Sequence, residues 1–529
     1  MELAHLIEAL SAPAAYPHHV DKVEVHQTHI SVVFVAGSFA YKVKKPVNLG
    51  FLNFSTLERR RHFCEEEMRL NRRLAPEIYL GIVPVSRAGS ALIIEGPGEA
   101  VEWAVKMKRL PEEAALHNRL QHRRVGVETL TSLAGKVASF HDRAEANEHI
   151  SAFGRFDVVA SNARENFDQV VPQVGTALSQ AVFERLRALT EEALAHLRPL
   201  INDRAERGVP RDTHGDLRLD HIYLFPNGDP PADLVIIDCI EFSDRFRFAD
   251  PISDMAFLVM DLRFHGRRDL AWAFAEGYFR ASGDEEGRAL LPFYVAYRAA
   301  VRGKVEGFEL LEKEIPESDR IAALAKARAH WLLALGELAT PGRKPCLVLV
   351  GGLPGTGKST LAQGLALRAD FCLIRSDLVR KELAGLACQD SARCPFGEGI
   401  YAPAWTERTY AECLCRAEKL LFEGKRVIVD ASFGEEKKRH TFLAAANQLG
   451  VPAVFVVCEA NAEAVRQRLH CRRGDASDAD WATFQKASER WEDISPVTRE
   501  AVHTILTEEG KDQAISRFLE LLRKLGLAS

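Results

Sequence analysis

No apolar run in this chain approaches the length needed to cross a bilayer, so a membrane-spanning helix is not expected and no membrane partner is implied. The first twenty residues hold neither Lys nor Arg and no long apolar core. That argues against a secretory signal or a basic amphipathic presequence and points to a cytoplasmic protein. Ten cysteines occur without one C-x-x-C pair: Cys413 and Cys415 lie two apart, and Cys388 and Cys394 flank a short loop. Reduced thiols are therefore expected rather than zinc sites or a disulfide framework. Neither charge sign dominates, since 69 basic and 74 acidic residues leave a formal net charge of −5. This balance gives no overall field for nucleic acid, although a local basic patch could still exist. Internal repeats and low-complexity tracts are also missing.

What the chain has is length, and 529 residues exceed what one hydrophobic core usually holds. Its most specific stretch is an apolar run, Cys346 to Val350, that enters a glycine-rich turn and then a helical pattern from Leu361. The pattern G-x-x-x-x-G-K-S is met by Gly352, Gly357, Lys358 and Ser359, and strand-turn-helix is the context a phosphate-binding loop requires. Gly352, Leu353, Pro354, Gly355, Thr356, Gly357, Lys358, Ser359 and Thr360 are thus expected to cradle a nucleoside triphosphate. Backbone N–H groups would close on the phosphates, Lys358 would reach the outer ones, and Ser359 would ligate Mg²⁺.

Along the chain, His29–Val35 and Phe39–Lys45 read as a hairpin around Gly37, and Ser55-x-x-Glu58 resembles a capping box for a helix running to Leu74. Strand patterns follow at 81–85, 91–95 and 102–110, and helical ones near 127–147 and 177–207. Helices are expected from about 250 to 337, and the Pro- and Gly-bearing stretch 339–345 reads as a linker. Beyond it, strands at 346–350, 371–375, 426–430 and 453–458 alternate with helices, which predicts a parallel sheet. The expected domains are 1–338 and 346–529.

In the first of these, THGDLRLDHIYLF at 213–225 precedes LVIIDCIEF at 234–242. A carboxylate on a loop, Asp216, can orient or deprotonate an attacking hydroxyl, and one downstream, Asp238, can hold a metal on phosphates. His-Gly-Asp alone is also what a tight turn with a capping Asp looks like. With its surroundings, the stretch resembles the aminoglycoside phosphotransferase and choline kinase group, related in fold to protein kinases. The likeness covers roughly residues 20–335 and is most specific at 213–257.

The resemblance implies a bilobal α+β protein-kinase-like fold, with Asp216 as catalytic aspartate and Asp238 as metal ligand. It makes Lys42 the phosphate-pairing lysine, with Lys44 competing, and Glu67 its helix partner, with Glu66 as the other choice. Trp103 to Leu110 would join the lobes where adenine sits, and Asp250 and Asp254 would belong to a supporting segment. One departure stands out: His221 occupies the place where the group usually has an Asn metal ligand. An imidazole there implies a single metal, a softer ion such as Mn²⁺, or nucleotide binding without efficient turnover.

In the second domain, Asp377 follows a strand end and could act as base toward a hydroxyl, with Arg380 nearby for an anionic group; a plain helix cap reads the same way. Asp430 ends another strand, where it can hold Mg²⁺. Arg466, Arg468, Arg472 and Arg473 precede a polar run and suggest a lid that brings arginines to the reacting phosphate. Neither N-K-x-D nor L-S-G-G-Q occurs, against GTPases and transporters. Residues 346–529 resemble small P-loop kinases, the group with gluconate kinase, chloramphenicol phosphotransferase, zeta toxin and the polynucleotide kinase domain. The resemblance implies an α/β P-loop fold, Lys358 and Ser359 on ATP and Mg²⁺, Asp377 facing the acceptor, and Arg466 or Arg472 in the lid. Tyr401 to Tyr410 would lie over the acceptor pocket.

The expectation is an ATP-dependent phosphotransferase acting on a hydroxyl acceptor, a small molecule, with the P-loop domain as main catalyst. The alternatives are a nucleotide-binding regulatory protein whose first domain does no chemistry, and a polynucleotide 5′-hydroxyl kinase, for which the acidic balance gives no support.

Overall fold

A computed structural model describes residues 2–50, 52–89, 91–225, 228, 233–310, 316–387, 397–471 and 479–529. Contacts group the chain into two compact units. One comprises Met1–Ala160, Leu197–Leu262 and Arg267–Tyr294; the other comprises Ser161–His196, Arg263–Gly266 and Val295–Ser529.

The first unit opens with an antiparallel sheet of β1 (Val23–Gln27), β2 (Ser31–Ala36), β3 (Phe39–Lys44), β4 (Tyr79–Ala88), β5 (Ala91–Ile94) and β6 (Ala100–Lys108). Their order across the sheet is β1-β2-β3-β6-β4-β5. Alternation explains β2 and β3: Val32, Phe34, Ala36, Tyr41 and Val43 bury one face, which leaves Lys42 and Lys44 together on the other. The helix Leu57–Asn71 follows, capped by Thr56, whose side chain accepts from Arg59 N–H at 3.3 Å. The cap lies one residue past the capping-box Ser55, because the Ser55 hydroxyl donates instead to Asn53 at 2.6 Å. The stretch expected as an inter-lobe linker is mostly strand: Trp103 lies inside β6, which ends only at Lys108. Next come short pairs, β7 (Arg211–Asp212) with β10 (Phe248–Ala249), and β8 (Ile222–Leu224) with β9 (Leu234–Ile236). The helix Pro251–Phe264 carries Asp254 and Asp261 at buried positions.

The second unit is built on an all-parallel sheet, β12-β13-β11-β14-β15, from β11 (Cys346–Gly351), β12 (Cys372–Arg375), β13 (Arg426–Asp430), β14 (Ala453–Glu459) and β15 (Val502–Leu506). Parallel pairing needs crossovers, which the helices Lys358–Arg368, Pro403–Phe422 and Glu436–Gln448 supply. Val348, Val350, Ile428 and Val456 form the sheet's share of the core, against Leu361, Leu365, Phe518 and Leu522. β15 was not readable from the sequence: it is an edge strand on which only Ile505 is fully buried, so it lacks an apolar run. Among the described residues, no helix is long and apolar enough to cross a membrane.

Candidate active sites

In the first unit the two sheet lysines meet three carboxylates. Lys42 Nζ lies 2.9 Å from Glu67 and 2.5 Å from Asp238, while Lys44 Nζ lies 2.8 Å from the other Glu67 oxygen and also pairs with Glu241. Glu67 therefore bridges both cations with no exposure of its own. Lys44 is fully enclosed, whereas the Lys42 side chain keeps 13% exposure and touches the partly open Asp238. The geometry thus separates the two lysines, and Glu66 turns away to Arg69 at 2.7 Å. Loss of water works against the charge on Asp238, but Lys42 and then His221 hold its carboxyl well below the usual range. Burial pushes the Glu241 carboxyl up, and the Glu67 charge opposes the pull of Lys44. Glu241 escaped the sequence reading; its spacing of three from Asp238 was the available signal.

Asp216 sits on a loop that Asp254 fastens. The Asp254 carboxylate accepts from His214 N–H at 3.1 Å and Gly215 N–H at 2.8 Å, and bonds His141 Nε2 at 3.0 Å. Gly215 has φ +86°, and a Cβ there would meet the Phe246 carbonyl at 3.1 Å, so the middle position of His-Gly-Asp takes glycine. Asp250 turns elsewhere, pairing with Arg204 at 2.7 Å.

Arg218, two residues past Asp216 in extended backbone, folds back on it. Its Nε donates to Asp216 Oδ1 at 2.8 Å and its Nη2 to Oδ2 at 3.3 Å, while Nη1 reaches Asp220 at 3.2 Å. Burial opposes the Arg218 charge, yet Asp216, Asp261 and Asp220 raise its pKa above the ordinary guanidinium value. His221 stands between the two aspartates. Its Nδ1 lies 2.8 Å from the Asp216 carbonyl oxygen, which makes Nδ1 a donor and aims Nε2 away from that carbonyl. That Nε2 faces Asp238 Oδ2 at 3.6 Å and Arg218 Nη2 at 3.4 Å. Asp238 thus fits one divalent ion through its partly exposed carboxylate. His221 does not fit a second, since a cation at Nε2 would meet the guanidinium.

The second unit assembles its candidates at the carboxyl ends of neighbouring parallel strands, where ligands of α/β sheets bind. Gly352, Gly355 and Gly357 take φ of +135°, +81° and +89°, and Cβ atoms on the first two would strike Cys458 O at 2.5 Å and Val465 at 2.9 Å. Lys358 opens the helix Lys358–Arg368, and its Nζ donates to the Leu353 carbonyl at 3.0 Å. Asp430 pairs in register with Val350 at the mouth of this loop. Burial pushes its carboxyl up; Lys358 and a hydrogen bond with Ser359 pull it back, and the Asp377 charge adds to the rise. The all-oxygen pair of half-buried Ser359 and buried Asp430 suits Mg²⁺, a hard ion that prefers oxygen ligands.

Asp377 is the second residue of the helix Ser376–Leu383, half-buried beside β12. Arg375, which the sequence reading did not single out, lies 3.5 Å from Asp430. Arg380 is committed to structure: its Nη1 donates to Ile400 O at 2.7 Å and Thr406 at 3.2 Å, and it lies 5.0 Å from the Tyr401 ring. Tyr410 is buried and its hydroxyl accepts from Phe433 N–H at 3.1 Å, so it holds the turn after β13. Of the expected lid arginines, Arg466 is exposed and rests over Trp481, 5.6 Å from its ring. Arg472 lies outside the described residues. The arginine brought to the phosphate loop is Arg468, which donates to Thr507 O at 2.6 Å and lies 3.5 Å from Gly355 O. Its helix buries Val465 against Gly355, and position i+3 follows on the same face.

A model of the phosphotransferase enzyme family matches residues 51–292, and one described as an AAA domain matches 347–494. The chain is 35% identical over 457 residues to uncharacterized protein Rv2004c of Mycobacterium tuberculosis, covering 86% of this chain and 88% of that protein. Mb2027c of Mycobacterium bovis, also uncharacterized, gives the same figures. Among solved structures, the GDP complex of aminoglycoside 2′-phosphotransferase-IIIa matches with 15% identity, 63% of this chain, 99% of that chain and a TM-score of 0.41. A gluconokinase from Sinorhizobium meliloti 1021 matches with 18% identity, 34% of this chain, 93% of that chain and a TM-score of 0.25.

Proposed function

The chain belongs to the same family as these mycobacterial proteins and joins a kinase-like phosphotransferase region to a P-loop kinase-type region; from that premise we propose that it transfers the γ-phosphate of ATP to a hydroxyl group of a small molecule. The P-loop region is the principal catalyst. Backbone N–H groups of 352–359 and Lys358 hold the phosphates, and Ser359 with Asp430 would hold Mg²⁺, which when bound neutralises phosphate charge. Asp377 orients the acceptor hydroxyl and takes its proton as the acceptor oxygen bonds to the γ-phosphorus and the bond to ADP breaks. Arg468 steadies the loop from the lid side.

In the first region, Lys42, braced by Glu67, faces the nucleotide phosphates, Asp238 would hold the metal, and Asp216 serves the acceptor. The observation that carries this reading is the convergence of Lys358, Ser359, Asp430 and Asp377 at one end of the parallel sheet, a lysine and a cation site on the phosphate side and a carboxylate on the acceptor side. The regulatory reading of the first region draws on one observation, the two-point hold of Arg218 on Asp216, which occupies the carboxylate a base would need.

The test is acceptor-dependent ADP release. Purified protein with ATP and Mg²⁺ or Mn²⁺ is given separate pools of sugars, aminoglycosides, nucleosides and 5′-hydroxyl oligonucleotides. Stimulation by one of the small-molecule pools supports the proposal. Stimulation by oligonucleotides alone, or bound nucleotide with no stimulation by any pool, contradicts it.

A further inference from the structure

Two facts about the first region belong together. The second metal position is spoiled, because His221 presents an imidazole nitrogen where Mg²⁺ wants oxygen and that nitrogen already faces Arg218 Nη2 at 3.4 Å. A guanidinium stands against that nitrogen instead, fixed by Asp216 at 2.8 Å and Asp220 at 3.2 Å. Phosphoryl transfer needs positive charge on the transferring group's oxygens. Lys42 on Asp238 is one cation of this cluster, and Arg218, on Asp216 and against His221, is another.

We propose that Arg218 replaces the second metal ion: in the nucleotide complex its guanidinium clamps the γ-phosphate, bridging it to Asp216. The region then works with one divalent ion and one arginine. This rests on the reading of the first region as a nucleotide site. Arginine suits the task, since its planar fork can grip a phosphate and a carboxylate together. Swinging toward the γ-phosphate also releases one Asp216 oxygen, which then accepts the acceptor's proton while the acceptor oxygen bonds to phosphorus and the bond to ADP breaks. In the absence of ATP the same side chain keeps Asp216 occupied, so the two-point hold describes the resting form of the site.

The test uses the full chain carrying Lys358→Ala, so that the first site dominates nucleotide binding, and compares ATP with ADP by titration calorimetry in Mg²⁺. Charge-assisted hydrogen bonds to a phosphate predict ATP binding ~10- to 100-fold tighter than ADP. Arg218→Met should erase that preference and leave ADP affinity within about twofold, and Arg218→Lys should restore part of it. Electron paramagnetic resonance of Mn²⁺ should count one ion per nucleotide in this background.

Equal loss of ATP and ADP affinity in Arg218→Met would make the residue a brace for the loop and overturn the proposal, as would an unchanged preference or two bound ions. If the Lys358→Ala chain binds no nucleotide that Lys42→Ala then removes, the first region is not a nucleotide site and both readings fall. If it binds nucleotide and Arg218→Met changes nothing, only the clamp falls.

Discussion

Asp254 accepts the backbone N–H of Gly215 at 2.8 Å, so a helix residue 39 positions downstream sets the shape of the loop that presents Asp216. The same carboxylate takes His214 N–H and bonds His141, and it has no exposure. Asp254→Ala would leave buried donors without partners, at a cost of about 2–4 kcal/mol in denaturant unfolding of the chain. Nucleotide binding at the first site should weaken with it. Asp254→Asn, which keeps one acceptor oxygen, should retain more of both.

The glycines of the phosphate loop differ in what surrounds them. A Cβ on Gly352 would lie 2.5 Å from the backbone oxygen of Cys458, whereas one on Gly357 would meet only side-chain atoms, at 3.4 Å and beyond. Both have positive φ, so both alanine variants are strained, by about 1–3 kcal/mol each. Gly352→Ala should be the more damaging, abolishing ATP binding at this loop while Gly357→Ala retains a weakened form. Calorimetry on the two variants checks the order.

Asp430 carries a conflict between stability and function. Its carboxyl is buried and pushed up on balance even with Lys358 and Arg375 nearby, so the charge that would hold Mg²⁺ is costly in the metal-free chain. Asp430→Asn should raise the melting temperature of the metal-free chain by about 2–4 °C per kcal/mol relieved. It should also remove the extra stabilisation that Mg²⁺ with ATP gives the unaltered protein. Differential scanning fluorimetry with and without Mg²⁺ and ATP checks both.

Buried strands and short motifs with fixed backbone demands were the legible part of the sequence. β11, β13 and β14 are continuous apolar runs because both faces of a parallel strand are covered, and the loop after β11 needs glycine where φ is positive. Edge strands left little trace: β15 and β1 are each half exposed and carry no apolar run. Contacts made across long sequence separations left none. Thr507 reaches Thr356 at 2.7 Å over 151 positions, and Lys44 meets Glu241 over 197, and neither pairing has a local spacing to betray it. The choice among the lid arginines depended on helix phase: Arg468 follows Val465 onto the loop side, and Arg466 turns outward to Trp481. Arg218 was in plain view but reads as an ordinary loop cation until extended backbone turns it onto Asp216.

Acid should weaken the second unit through Glu306. This residue is buried, with His330 Nδ1 at 2.7 Å and Arg302 at 3.1 Å. Burial alone would raise its pKa, but His330 and Arg302 outweigh it and the net shift is downward. A carboxylate with a lowered folded-state pKa stabilises fully above its unfolded value near 4.5, and that contribution is lost as pH falls through the folded value. Glu306→Gln should therefore destabilise the chain at pH 7 by on the order of 1–3 kcal/mol and converge on the unaltered protein in acid. Urea unfolding at a series of pH values gives the two curves.

The measurement closest to the central claim is transfer of label from γ-labelled ATP to an added hydroxyl acceptor, compared in the unaltered chain, Lys358→Ala and Asp216→Asn. The account predicts an acceptor-dependent labelled product that Asp216→Asn largely preserves and Lys358→Ala largely removes. Transfer that survives Lys358→Ala and disappears in Asp216→Asn would contradict it and make the kinase-like region the principal catalyst.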